Sequence, residues 1–326
     1  RDCLLSRGLG DVYKRQLLTI SILFTLATGI IYVINRVIFA TAVLKNLLKS
    51  SAKNFYNWRF GNIYYQKKGQ GSPLLLIHDL TVYSSAYEWS QVIDELSKEH
   101  TVYALDLLGC GRSEKPKITY TNYLYVQLIC DFIKNVIHEK TDIAVCGYSS
   151  SFALLACHSE SDLFGKLILI NPPSLASLNK APGKRSKLYK FLLEIPVFST
   201  LIYNMKTSQS NVQLLFTEKY LYNPFHTTPE LIDTYYETAH KDLGSAKYLL
   251  SSLCGLYTNN SITHALKCIN QSIVILTGET EPEGEEIASA YIELNPAIET
   301  CKMKRAKHLP HLETPQEFTE TLKIYL

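Results

Sequence analysis

From Tyr56 onward the chain alternates short apolar runs with longer stretches of helical period. Pro73 to His78 (PLLLIH), Thr101 to Leu108 (TVYALDLL), Asp142 to Tyr148 (DIAVCGY), Lys166 to Ile170 (KLILI) and Ser272 to Thr277 (SIVILT) each predict a strand. Runs of this length without polar alternation suit strands buried on both faces. Ile63-Tyr64-Tyr65 reads as an earlier strand and Glu299 to Lys304 as a last one. Tyr87–Lys98, Asn122–His138 and Ser150–His158 read as the intervening helices. In the second of these, Tyr125, Ile129, Phe132, Ile133 and Val136 share one face. Such alternation predicts an α/β fold with a mostly parallel sheet covered on both sides.

The alternation lapses between Ser174 and Ile269, where the chain turns helical and rich in Tyr. Thr228-Pro229 marks a helix start, with Thr as cap and Pro in the first turn. A helical insertion after the sixth strand would lie over the carboxyl ends of the strands, where open sheets bind ligands. Thr314-Pro315-Gln316-Glu317 predicts a capping box opening a final helix that buries Phe318, Leu322 and Tyr325. The expected division is 51–173 and 270–326 for the two parts of the core, with 174–269 as a helical cap.

The N-terminal region stands apart. Arg1 to Gln16 (RDCLLSRGLGDVYKRQ) has no apolar period and reads as translated adapter sequence joined to a partial gene, the alternative being a natural basic leader. Leu17 to Ile34 is eighteen residues without a charge. As a helix it would span about 27 Å, close to the hydrocarbon thickness of a bilayer. A cleaved signal peptide ending near Ala40-Thr41-Ala42 and a buried core helix are the competing readings. The length of the run and the interruption at Asn35-Arg36 favour an uncleaved single-pass anchor, with 17–50 as anchor and juxtamembrane helix. Membrane lipid is therefore an expected partner. Arg36, Lys45, Lys49 and Lys53 flank its carboxyl end and favour the cytoplasmic side for the rest of the chain.

The 326 residues are 46% apolar and 19% charged, with a formal net charge of +3 and no basic stripe, which argues against nucleic acid. Eight cysteines form no C-x-x-C pair and read as small buried hydrophobes, and no histidine spacing suggests a metal. No cofactor is expected.

Gly147-Tyr148-Ser149-Ser150-Ser151, between a predicted strand and a predicted helix, matches G-x-S-x-G except at its last position. A serine nucleophile needs a base, and the base needs an acid. His308 follows the last strand and Glu281 follows SIVILT, with Glu279 and Glu283 as rival acids. The order Ser, acid, His is that of α/β-hydrolases. LLLIHDL, Asp106 to Pro116 (DLLGCGRSEKP) and His308 to Phe318 (HLPHLETPQEF) carry the resemblance further. From Tyr56 to its end the chain resembles capped α/β-hydrolases of the haloalkane dehalogenase-like and carbon–carbon hydrolase-like group.

That resemblance implies a catalytic His308, a structural His311, and backbone N–H groups of Leu80 and Ser150 as the oxyanion hole. The expected function is a membrane-anchored serine hydrolase acting through an acyl-enzyme on a carboxylic ester, lipophilic esters included. Tyr and Phe residues of the insertion, Tyr189, Phe191, Phe198, Tyr203, Phe216, Tyr220, Tyr222, Phe225, Tyr235 and Tyr236, are expected mostly in the cap's own core. The sequence departs from the family pattern at Asp79, which replaces the Gly after His78, and at Ser151, Lys307 and Glu281. A carboxylate beside a developing oxyanion is unfavourable, so a non-catalytic binding or scaffold protein on the same fold is the alternative.

Overall fold

The computed structural model describes residues 2–49 and 54–326, with side chains from residue 12 onward. Eight strands form one sheet: β1 (Asn54–Trp58), β2 (Gly61–Lys68), β3 (Ser72–Ile77), β4 (His100–Leu105), β5 (Thr141–Cys146), β6 (Phe164–Ile170), β7 (Ile273–Gly278) and β8 (Glu299–Met303). Their order is β1-β2-β4-β3-β5-β6-β7-β8. β2 is antiparallel to both β1 and β4, and every later pairing is parallel. β1 escapes the sequence pattern because NFYNW is an edge strand with polar positions and a half-exposed register.

The central strands alternate their side chains between two apolar layers. On β3, Leu75 and Ile77 join one core and Leu74 and Leu76 the other, all with no exposed surface. Each such side chain contributes about 2 kcal/mol relative to exposure. The strand order reverses around β3, which has β4 on one side and β5 on the other. The crevice beyond the carboxyl ends of β3 and β5 is therefore where the topology positions a ligand.

The turn after β4 is built on a buried ion pair. Asp106 accepts from the Arg112 guanidinium at 2.8 and 3.0 Å, from the Arg112 N–H at 2.7 Å and from the Ala86 N–H at 2.6 Å. Burial opposes its charge, yet Arg112 holds its carboxyl below the ordinary value. Through Ala86 the pair also fixes the short helix Ala86–Trp89, which stands where a longer helix, Tyr87–Lys98, is expected from sequence. At Thr314 the expected capping box does not form. The tight helix Pro310–Glu313 precedes it, and the Thr314 hydroxyl turns back to donate to the Pro310 carbonyl at 3.3 Å. Thr228 caps its helix as expected, accepting from the Leu231 N–H at 3.2 Å.

One continuous helix, Asp2–Ala42, runs through both the stretch set aside and the apolar run. Its span Val12–Ala42 is long and apolar enough to cross a membrane, and the most apolar window is not covered by the rest of the protein. The carboxyl-terminal part docks on the cap: Asn35 donates to the Val197 carbonyl at 3.1 Å and accepts from Asn204 at 2.8 Å. The Phe39 ring lies over Gly244, where an added Cβ would meet it at 2.3 Å. In the cap, Tyr203, Phe216, Tyr220 and Tyr235 are buried, but Tyr189, Phe191, Tyr222 and Phe225 face outward rather than into the expected core.

Arg112→Ala leaves Asp106 buried without its counter-ion. Urea denaturation is expected to show a loss of about 3–5 kcal/mol; a change within error would mean that the pair does not hold this turn.

Candidate active site

The strand-to-helix turn that follows β5 does not present Ser149. β5 ends at Cys146, earlier than the expected Tyr148, and the left-handed residue of the turn is Gly147 at φ +54°. Tyr148 is already right-handed, and Ser149 opens the helix Ser149–Ser159. Fully buried, Ser149 donates its Oγ–H to the His78 carbonyl at 2.7 Å. The expectation of an exposed nucleophile at Ser149 is thus corrected, because a tight strand-to-helix turn lifts the residue of positive φ and that residue is Gly147. The Ser150 N–H is likewise no oxyanion donor: it donates to the Gly147 carbonyl at 3.1 Å.

Asp79 fills the place above Gly147. Its Oδ1 accepts from the N–H of Leu80 and from the N–H of Tyr148, each at 2.7 Å. A Cβ at Gly147 would stand 2.3 Å from that oxygen. Asp79 and Gly147 therefore depend on each other: any side chain at 147 would displace the carboxylate.

His308 completes the group. Its Nδ1 bonds Glu281 Oε1 at 3.0 Å, and its Nε2 faces Asp79 Oδ2 at 3.5 Å. The structure thus brings His308 and Glu281 together, and the group facing the other imidazole nitrogen is the Asp79 carboxylate, not the hydroxyl of Ser149. Burial disfavours the imidazolium, but the flanking Asp79 and Glu281 outweigh it and raise the His308 pKa to about 10. Of the rival acids, Glu279 is engaged elsewhere, accepting from the Arg305 N–H at 2.9 Å, and Glu283 is the left-handed residue before helix Gly284–Leu294.

Several contacts that the sequence reading did not anticipate hold this arrangement. Asn171, at the end of β6, donates to the carbonyls of Lys307 and His308 at 2.9 and 2.8 Å and accepts from the Gly278 N–H. From the cap, the Tyr220 ring stacks on His308 with centroids 5.1 Å apart, and its carbonyl accepts the His308 N–H at 3.0 Å. Glu313 accepts from the N–H groups of Lys307 and Tyr222, tying the histidine loop to the cap. Beneath Asp79, Glu88 accepts its N–H at 3.1 Å, and burial together with the charge of Asp79 pushes the Glu88 carboxyl up to about 8. Periodicity could not reveal these contacts, although Asn171 was visible as a polar residue ending an apolar strand.

His311 is buried and stacked on Trp89 with centroids 4.3 Å apart. Glu88, Cys146 and His311 bring a carboxylate, a thiol and an imidazole within 4.8 Å of one another, a donor set suited to a metal ion.

Residues 74–321 match the alpha/beta hydrolase family. The chain belongs to that family. A soluble epoxide hydrolase of Corynebacterium sp. (strain C12) is 28% identical over 109 residues, which cover 33% of this chain and 37% of that protein. A 2-hydroxy-6-oxo-6-(2'-aminophenyl)hexa-2,4-dienoic acid hydrolase of Metapseudomonas resinovorans is 31% identical over 113 residues, covering 34% and 39%. The match thus spans little more than a third of either relative. In fold, a serine hydrolase of carbazole degradation superposes with a TM-score of 0.69 at 18% identity, over 84% of this chain and 98% of that one. In an alpha/beta hydrolase the oxyanion donors are the N–H of the residue after the nucleophile and an N–H from the loop after β3. With Gly147 at the turn, those two groups are Tyr148 and Leu80, and here both hold Asp79 Oδ1.

The His308 proton should report this pairing. Stabilisation from a raised histidine pKa is complete below the ordinary value of 6.5 and is lost as pH rises through about 10. Imidazole NMR is expected to show His308 titrating near the upper value and falling in Asp79→Asn; an unchanged titration would separate Asp79 from His308.

Gly147→Ser should destabilise the protein through collision with Asp79, whereas Gly147→Ser combined with Asp79→Gly should recover stability. A double-mutant cycle is expected to give a coupling of about 1–3 kcal/mol; additive effects would show that the two positions are independent.

Proposed function

We propose that this chain is a membrane-tethered hydrolase that attacks its substrate with the Asp79 carboxylate. One observation carries the reading: Oδ1 rests on two backbone N–H groups while Oδ2 faces His308 Nε2 at 3.5 Å. A carboxylate held this way suits attack on an electrophilic saturated carbon. Oδ2 forms a bond to that carbon, the carbon–oxygen bond of the leaving group breaks, and the His308 imidazolium gives the departing oxygen its proton. Ester formation removes the charge of Asp79, so His308, now neutral, is left beside Glu281 alone.

The imidazole then takes a proton from water, whose oxygen attacks the Asp79 carboxyl carbon. The N–H groups of Leu80 and Tyr148 hold the negative Oδ1 in that step. Collapse releases the alcohol and restores both the carboxylate and the imidazolium, so the net reaction is addition of water. Likeness to a soluble epoxide hydrolase supports epoxides as the first substrate class to try.

The apolar span Val12–Ala42 supports tethering, and Arg36 near its carboxyl end with Lys45 and Lys49 after it supports a cytoplasmic catalytic domain. A Ser149–His308–Glu281 esterase would require Ser149 to leave its bond to the His78 carbonyl and Asp79 to vacate the amides. The same occupancy of both amides supports a second reading, a protein that binds without turnover.

A panel of epoxides, haloalkanes and carboxylic esters tests these readings, run in 18O-water with mass analysis of the Asp79 peptide. Expected are epoxide hydrolysis, label entering Asp79, a loss of at least about 1,000-fold in Asp79→Asn, and near-normal rates in Ser149→Ala. Fluorophosphonate labelling that is lost in Ser149→Ala would instead support the serine esterase. Absence of turnover across the panel, with no label in Asp79, would support binding without catalysis.

A further inference from the structure

Where the N-terminal helix meets the cap, a cleft of about 410 Å³ opens at the carboxyl end of the apolar span. Its cations outnumber its anions: Arg36, Lys117 and Lys247 line it, against a single carboxylate, Asp242. That carboxylate is already taken by Lys115, whose Nζ donates to it at 2.8 Å. Lys247 is nearly buried and donates to the hydroxyls of Ser199 and Thr200 at 3.2 and 3.1 Å. Burial lowers its pKa, with Lys117 nearby acting in the same direction and the Glu194 carboxylate opposing both. A cation so placed is stabilised by an arriving anion.

A second recess, an apolar groove of about 460 Å³ along Val33, Val37 and Ala40, adjoins the cleft and shares Tyr32, Arg36, Phe39 and Leu243 with it. Position along the helix agrees with this pairing. Leu17–Ile34 is the uncharged run, and Arg36 follows immediately, at the depth where headgroups begin in a bilayer. Phe24, within that run, contacts Phe198 of the cap with ring centroids 5.7 Å apart. The cap around Phe198 therefore reaches the level of the acyl chains, and the two cap helices Lys184–Glu194 and Phe198–Lys206 expose Tyr189, Phe191, Leu192 and Ile202.

We propose that the cleft binds the phosphate-bearing headgroup of an anionic membrane phospholipid, with an acyl chain lying along the adjoining groove. This rests on the reading of Val12–Ala42 as a membrane anchor. Nonpolar wall and cationic pocket are both required for such a ligand, since a free phosphate would use only the second. Binding would also lock the helix to the cap, because residues of both elements touch the lipid. The cap carries Tyr220, which stacks on His308. Lipid occupancy would in this way steady the wall of the catalytic site.

The full chain, purified in a neutral detergent, would be titrated with phosphatidylglycerol, phosphatidylcholine and inorganic phosphate, reading bound lipid by native mass spectrometry. Flotation with vesicles of phosphatidylcholine alone would be measured in parallel. Phosphatidylglycerol is expected to be retained over phosphatidylcholine, with about a fivefold loss for each of Arg36→Gln and Lys117→Gln. Both residues are exposed, so these variants should fold; Lys247→Gln is a third, with folding checked by circular dichroism. Flotation without a headgroup preference would overturn the headgroup site and leave the anchor standing. No flotation would overturn the anchor and this proposal together. Retention of phosphatidylglycerol that inorganic phosphate abolishes at equal concentration would overturn the acyl groove.

Discussion

The site is organised by one carboxylate lying on two peptide N–H groups. Those donors belong to different loops, Leu80 after β3 and Tyr148 after β5, and Asp79 draws them to a single oxygen. Burying a carboxylate is costly unless its oxygens are met by donors or an opposite charge. Here the backbone meets one oxygen and the His308 imidazole faces the other. Gly147 follows as a consequence: only a residue without Cβ leaves room for Asp79, and glycine takes φ +54° at that turn without strain.

A second consequence concerns charge. His308 lies between two carboxylates, Asp79 and Glu281, and carries its proton through the neutral range. An imidazolium of this kind is an acid at rest rather than a base. It becomes a base only when one neighbouring charge is removed, as esterification of Asp79 would do. The acid–base role of His308 and the ionic state of Asp79 are in this sense one variable.

The cap is bound into the same network from above. Tyr220 stacks on His308 and accepts its backbone N–H, while Glu313 accepts N–H groups from the cap and from the histidine loop. On its far side the cap receives the N-terminal helix through Asn35, Asn204 and Phe39. Helix, cap and histidine loop thus form a continuous packed path, in which the strained Val197 turn (φ +66°) supplies the carbonyl that accepts from Asn35.

Periodicity determined the alternation of strands and helices, though not the edge strand β1 or the strand order: buried parallel strands must be continuously apolar, and helices packed on them must repeat an apolar face, so Leu74–Ile77 and Tyr125–Ile133 declare themselves. The same reasoning separated the apolar N-terminal span from the body and located His308 and Glu281 at strand ends. It put Ser149 at the apex of the turn where the structure has Gly147, because the apex depends on whether β5 ends at Cys146 or Tyr148, a shift with no hydrophobic signature. Asp79 was legible only as a departure from a glycine. Its meeting with the amide of Tyr148 joins residues far apart in the chain, and such a contact is set by how strands stack side by side, which only the tertiary structure decides.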